Sequence, residues 1–333
     1  MANENLITRQ VEDYIAFKRS LGYIFRVPAG ALRRFASFTR TAGFNGSLTS
    51  EIAIQWASLN SDSSRLYTAR RLEIIRTFAQ YISAFDANAQ IPQTGIFGRS
   101  YARSSPYIYS DEEIALLIGE AGKLRSPDGV RAYTVAAAIG LLRSTGLRVA
   151  ELTLLRIRDV CLADGYLFIG KTKFKKSRAV PLHPTATEEL AKYRDFIMEK
   201  LGKRDETDFF FVGSYGRRFN TWAFEYAFKH IRPVLTADSV RNRKRKVRLY
   251  DIRHTFACKT VKSWYEAGID VNQKLFLLSA YMGHALPEHT YWYLSATPEL
   301  LAVSCGRYEA AFGAGCLPET EPLARTGRKE ALQ

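Results

Sequence analysis

Apolar residues recur along the first part of the chain at helical rather than strand spacing. Ile7, Val11, Tyr14, Ile15 and Leu21 make one stripe, and Leu32, Phe35 and Phe38 make a second. A third helix is predicted over Leu66–Ile82, with Leu72, Ile75, Phe78, Ala79 and Ile82 inward. Arg65, Arg70, Arg71 and Arg76 of that helix fall off its apolar stripe, either on a solvated face or facing phosphate. The pattern stops over 91–109, where Pro92, Gly95, Gly98 and Pro106 punctuate the chain and no period survives. A helical unit over 1–95 and a linker over 96–109 are therefore expected.

Ser110, followed by Asp111, Glu112 and Glu113, reads as a capping box that opens a second unit. Helical periodicity continues through 130–145. The texture then changes. Asp164-Gly165 is a hairpin-turn dipeptide with Tyr166, Leu167, Phe168 and Ile169 after it, and Arg178–Leu182 reads as a partner strand. Helices are predicted again at 185–201, 219–232, 252–267, 272–282 and 297–312, and a flexible tail over 313–333. The expected fold is mainly α, in two domains, with a small antiparallel β-sheet inside the second.

Composition fits a folded protein: of 333 residues, 47% are hydrophobic and 24% charged, which excludes a disordered chain or a collagen. Charge is unusual. Forty-eight Lys and Arg against 33 Asp and Glu leave +15, a surface that attracts a polyanion, nucleic acid first and an anionic membrane second. Cys161, Cys258, Cys305 and Cys316 form no CxxC pair, so neither a disulfide framework nor a zinc site is expected. No secretory leader or membrane-spanning apolar run is apparent, which suits a cytoplasmic protein.

Gly165–Thr172 formally satisfies the P-loop expression, but its bulky, strand-forming middle cannot cradle phosphates with backbone N–H groups, so nucleotide binding is not expected. Two basic runs favour phosphate contact. Lys171, Lys173, Lys175, Lys176 and Arg178 fall on the hairpin, and Arg241, Arg243, Lys244, Arg245, Lys246 and Arg248 follow later.

Four segments then read together: Ser144-Thr-Gly-Leu-Arg-Val-Ala-Glu-Leu152, Thr172–Leu182, Leu249-Tyr-Asp-Ile-Arg-His-Thr-Phe-Ala257, and Tyr281-Met-Gly-His284 with Tyr293 nine residues on. In this order they resemble the catalytic domain of the tyrosine recombinases, the phage-integrase family, over roughly 108–312. The N-terminal unit then resembles that family's core-binding domain, a SAM-like DNA-binding fold. The resemblance implies Arg148 and Arg253 as the catalytic arginines, Lys173 as the β-hairpin lysine, His284 at the His or Trp position and Tyr293 as nucleophile, with Tyr291 two residues earlier as its rival. Glu151 and Asp159 resemble supporting acids. The departure is Tyr250, which stands where the family's HxxR box has His; either its phenol fills the donor role, or the supporting His254 reaches in.

The chemistry suits these residue types. A tyrosine hydroxyl can become a covalent phosphoester, which conserves the energy of the cleaved bond. Two arginines can clamp the nonbridging oxygens with planar, always-charged forks, and a lysine can protonate the leaving 5′ oxygen. The resemblance implies a site-specific recombinase that needs no metal, ATP or other cofactor. It acts on double-stranded DNA as a homo-tetramer through a Holliday junction, with accessory DNA-bending or sister recombinase proteins as further partners. Residues 297–312 would dock on a neighbour. The texture suits integration or excision of a mobile element, beside the bacterial nucleoid. Two other readings stay open: a type IB topoisomerase-like relaxing enzyme and, because of Tyr250, a catalytically silent DNA-binding relative. Arg70 and Arg71 join the two basic runs as expected DNA contacts.

Overall fold

The structure, a computed structural model, describes residues 5–59, 64–101, 106–170, 177–235, 246–284 and 290. The chain divides into two units between Ser104 and Ser105.

In the first unit, Asn5 caps α1 (Leu6–Ser20) by accepting from the backbone N–H groups of Ile7 and Thr8. α2 (Arg26–Thr41) begins after Phe25, whose φ of 47° is a left-handed conformation. The Phe25 ring packs edge-on against Tyr14 at 5.6 Å, and this contact offsets the backbone strain. α3 (Ser50–Ser58), capped by Thr49, lies in a stretch the periodicity leaves unassigned. α4 (Arg65–Ile82) starts at the Ser64 cap. Ile7, Val11, Leu32, Phe35, Trp56, Ile75 and Phe78 form the buried centre.

The division between the units falls within 96–109, and both ends of that stretch pack on a core. Phe97 packs on the first core, with its carbonyl accepting from Arg65 Nε, while Tyr107 and Tyr109 are core residues of the second unit.

In the second unit, α5 (Asp111–Gly122) opens on the expected capping box of Ser110 and Glu113. α6 (Val130–Thr145) crosses the core and ends at Gly146. α7 (Val149–Leu152) is a single turn. A sheet of β1 (Val160–Cys161), β2 (Tyr166–Ile169) and β3 (Arg178–Pro181) is antiparallel in that order, with Cys161 opposite Tyr166 and Ile169 opposite Arg178. The P-loop look-alike is therefore strand at Tyr166–Ile169. α8 (Pro184–Leu201), α9 (Thr221–Ile231), α10 (Asp251–Glu266) and α11 (Val271–Met282) follow. Tyr109 ties the start of the unit to α10: its N–H donates to Thr255 Oγ1 and its hydroxyl to the Arg248 carbonyl. The expected helix 297–312 and the tail lie outside the described residues.

Candidate active site

The site is built on helix ends. The last carbonyls of an α-helix lack intrahelical partners and carry the negative end of the macrodipole, so they attract cations. α11 ends at Gly283, left-handed at φ 65°, and three successive carbonyls there go to three arginines. Arg178 Nε donates to Tyr281 O, Arg253 Nη2 to Met282 O and Arg148 Nη2 to Gly283 O, each at 2.7 Å. Arg253 Nη1 also donates to Gly146 O, where α6 ends, at 2.7 Å. Two helix termini thus converge on three guanidinium groups, each from a different segment.

Both glycines are required by space. A Cβ on Gly146, at φ 61°, would lie 2.4 Å from the Phe256 ring. One on Gly283 would lie 2.7 Å from Arg178 Nη1 and 3.4 Å from Arg148 Nη1. Sequence reading missed this role, although T-G-L and M-G-H are helix-stop signals.

Glu151 supports the arginines from α7. Its carboxylate accepts from Arg148 Nη1 at 2.8 Å and from the Arg148 backbone N–H at 3.1 Å. Burial alone would raise its pKa, but the Arg178 and Arg148 contacts outweigh that and hold it below the usual carboxylate range. Three guanidiniums against one carboxylate leave a surplus of positive charge in the pocket.

Arg253 is buried at 2% exposure, and its Nη2 lies 3.0 Å from His284 Nε2. An arginine can only donate, so Nε2 accepts and the proton sits on Nδ1, facing Thr290 Oγ1 at 2.8 Å. Tyr250 stands at the head of α10, 43% exposed, with its ring edge-on to His254 at 5.0 Å. His254 is buried against it, and desolvation pushes its pKa down to about 4.

Several expected residues behave differently. Arg178, expected on DNA, forks onto Glu151 at 2.8 and 3.2 Å and is nearly buried. Arg71, also expected on DNA, turns inward: Nη2 donates to Trp56 O at 2.6 Å, and the guanidinium lies 4.1 Å from the Trp56 ring centroid. Arg70 remains exposed, with Nε on the Ser100 carbonyl. Asp159 accepts from the Arg156 backbone N–H at 2.9 Å, closing a local turn rather than backing Arg148. Arg248 pairs with the buried Asp251 at 2.7 Å while staying half-exposed, and Lys246 is exposed. Tyr293, Lys171, Lys173, Lys175, Lys176, Arg241, Arg243, Lys244 and Arg245 lie outside the described residues. Among the described residues, no cluster of His, Cys, Asp and Glu is placed to hold a metal, and no helix is long and apolar enough to cross a membrane.

A mainly helical unit with a small antiparallel sheet, and an arginine pair beside a histidine, define the class. The chain belongs to the phage integrase family, whose model matches residues 110–299. It is 33% identical to the integrase/recombinase named y4rE of Sinorhizobium fredii, across 90% of this chain and 94% of that relative. The tyrosine recombinase XerD of Oceanobacillus iheyensis is 30% identical across 69% of this chain and 71% of its own length. Among solved structures, the fold is similar to the Tn1549 transposon integrase in complex with transposon right end DNA. That match has a TM-score of 0.64 at 13% identity and covers 90% of this chain and 98% of that one. It is also similar to the XerH recombinase bound to a difH substrate, with a TM-score of 0.62 at 20% identity over 91% of this chain and 85% of that one. Membership supports a site-specific recombinase.

Proposed function

We propose that this chain cleaves and rejoins double-stranded DNA through a 3′-phosphotyrosyl intermediate. The observation that carries the reading is the meeting of Arg148, Arg253 and His284 around one helix end, three residues 136 positions apart in the sequence at their extremes. The Tyr293 phenolic oxygen forms the new bond to phosphorus as the bond to the 5′ oxygen breaks. Arg148 and Arg253 hold the nonbridging oxygens while charge builds on them. Lys173 gives a proton to the leaving 5′ oxygen, and the phenol proton leaves to a base or solvent. His284 donates a ring N–H to the phosphate. Tyr250 donates one hydrogen bond from its phenol. The new ester stores the bond energy, so neither metal nor ATP enters. A 5′-hydroxyl from the partner duplex reverses the route and, repeated, passes through a Holliday junction. A homo-tetramer on paired sites, with residues 297–312 docking between neighbours, would move a mobile element. The relatives' names and the DNA in the neighbours' structures support this reading.

The test is a nicked suicide duplex carrying a site selected from random-sequence DNA by the wild-type chain. Covalent adduct is expected with wild type and lost in Tyr293→Phe. Adduct that persists in the variant overturns the nucleophile, and no adduct with wild type overturns catalysis.

A further inference from the structure

Arg178 sits in a run of cations, and its charge alone would send it to DNA. Its surroundings say otherwise. The side chain is 12% exposed, and both ends of its fork are taken by Glu151, at 2.8 and 3.2 Å. Its Nε is taken by Tyr281 O at 2.7 Å. A phosphate would have to displace a bidentate, nearly dry ion pair to reach it.

Arg148 shares one of these acceptors and takes a neighbouring carbonyl of the same helix end. Glu151 Oε1 receives both Arg178 Nη1 and Arg148 Nη1, so one carboxylate is shared between two guanidiniums. The carbonyl that holds Arg178 is two residues before the one that holds Arg148, on the same helix end. The missing Cβ of Gly283 is what lets the two guanidiniums lie side by side. Charge reinforces geometry. Were Arg148 the sole counter-ion of a carboxylate 9% exposed, its positive charge would be spent on Glu151. With Arg178 balancing Glu151, the charge of Arg148 stays uncompensated and available to phosphate. The Tyr281 phenol, its pKa pushed up to about 12 by burial against the pull of Arg178 and Arg253, adds no negative charge.

We propose that Arg178 is a positioning residue for Arg148: it fixes Glu151 and the end of α11, and so sets the rate of DNA cleavage without setting the affinity for DNA. The proposal rests on the phosphotyrosyl reading above. A family of substrates separates it from its rivals. In a methylphosphonate duplex, one nonbridging oxygen is a neutral methyl group, so there is less charge for Arg148 to hold.

The experiment uses the full chain, the selected nicked duplex and its methylphosphonate counterpart. Arg178→Gln is expected to slow cleavage of the ordinary duplex on the order of 10–100-fold, the range for a group that orients another. Affinity and its salt dependence should stay within about 2-fold, a change of under one phosphate contact. The defect should shrink on the methylphosphonate. Arg178→Lys, which keeps the charge but loses the fork, should fall between Arg178→Gln and wild type. Equal defects on both substrates would overturn the proposal in favour of a scaffold role. Weakened binding with a shallower salt slope, and unchanged cleavage of bound DNA, would overturn it in favour of a phosphate contact. If Arg178→Gln does not fold, Arg178→Lys carries the same comparison, since its cation still pairs with Glu151. Adduct formation by wild type is the control: its absence refutes the phosphotyrosyl reading, whereas adduct with either overturning pattern refutes only the role of Arg178.

Discussion

His254 and Arg253 are adjacent on α10, and both are buried, yet burial costs them differently. Arg253 keeps its charge because two carbonyls accept from it. His254 sheds its charge: desolvation, with Arg248 and Arg253 nearby and only Asp251 opposing, brings its pKa to about 4. In the unfolded chain a histidine titrates near ~6.5. Between those values the unfolded state binds the extra proton, so stability is full above pH ~6.5 and falls as pH drops towards 4. The loss approaches about 3 kcal/mol once pH is below both values. Glu151, held below the carboxylate range, loses its contribution only at lower pH. The window from about 6.5 to 5 therefore separates histidine titration from that of the carboxylates, and a His254 variant picks out this one histidine. Urea unfolding across that window should show a slope in wild type that flattens in His254→Gln. An unchanged slope would assign it to another group. This scale was also the hardest to read from sequence. Arg71 and Arg178 have the same side chain as Arg70, and only the packing of Trp56 or Glu151 decides which cation is withdrawn from solvent. Local motifs single out Arg148 and Arg253, which meet at one helix end, whereas Arg178 sits in a run of like charges that suggests one role for all.

At the scale of elements, local chemistry was the better guide. The Ser110 capping box, the Asp164-Gly165 turn and the helical stripes each name their element because the signal lies within a few residues. α3 was missed because nine residues give little period to read. The end of α6 was legible as a stop, but what it holds was not. The Gly146 carbonyl receives Arg253 from 107 residues away, a contact no local window contains. Gly146→Ala should therefore be costly twice. A left-handed alanine costs about 1 kcal/mol, and a Cβ driven into the Phe256 ring adds about 1–3 kcal/mol of overpacking. We expect the urea midpoint to fall accordingly. Cleavage by the still-folded fraction should fall too, because the carbonyl that anchors Arg253 moves. Wild-type activity per folded molecule would show that Arg253 tolerates the shift.

Across the whole molecule, the charge is spread over both units. Residues 1–104 hold 13 cationic against 7 anionic residues, and 105–333 hold 35 against 26, so both are basic. Their cores share no residue, since Ile7 through Ile82 form one and Tyr107 through Ile252 the other. Each unit thus has the apolar burial to fold alone and the surface charge to hold phosphate. If both contact DNA, each releases its own counterions, and the slopes of log affinity against log salt add in the intact chain. Affinity should exceed either fragment's by more than the slopes alone provide, because the first unit bound raises the effective concentration of the second. Fragments 1–104 and 105–333, each checked for a cooperative thermal transition, should show slopes that sum to that of the full chain on the same duplex. A flat slope for 1–104 would remove the exposed cations of that unit, Arg70 among them, from the DNA contacts. The charge of the first unit would then serve solubility alone, and binding would belong to the unit that carries the three arginines at the end of α11.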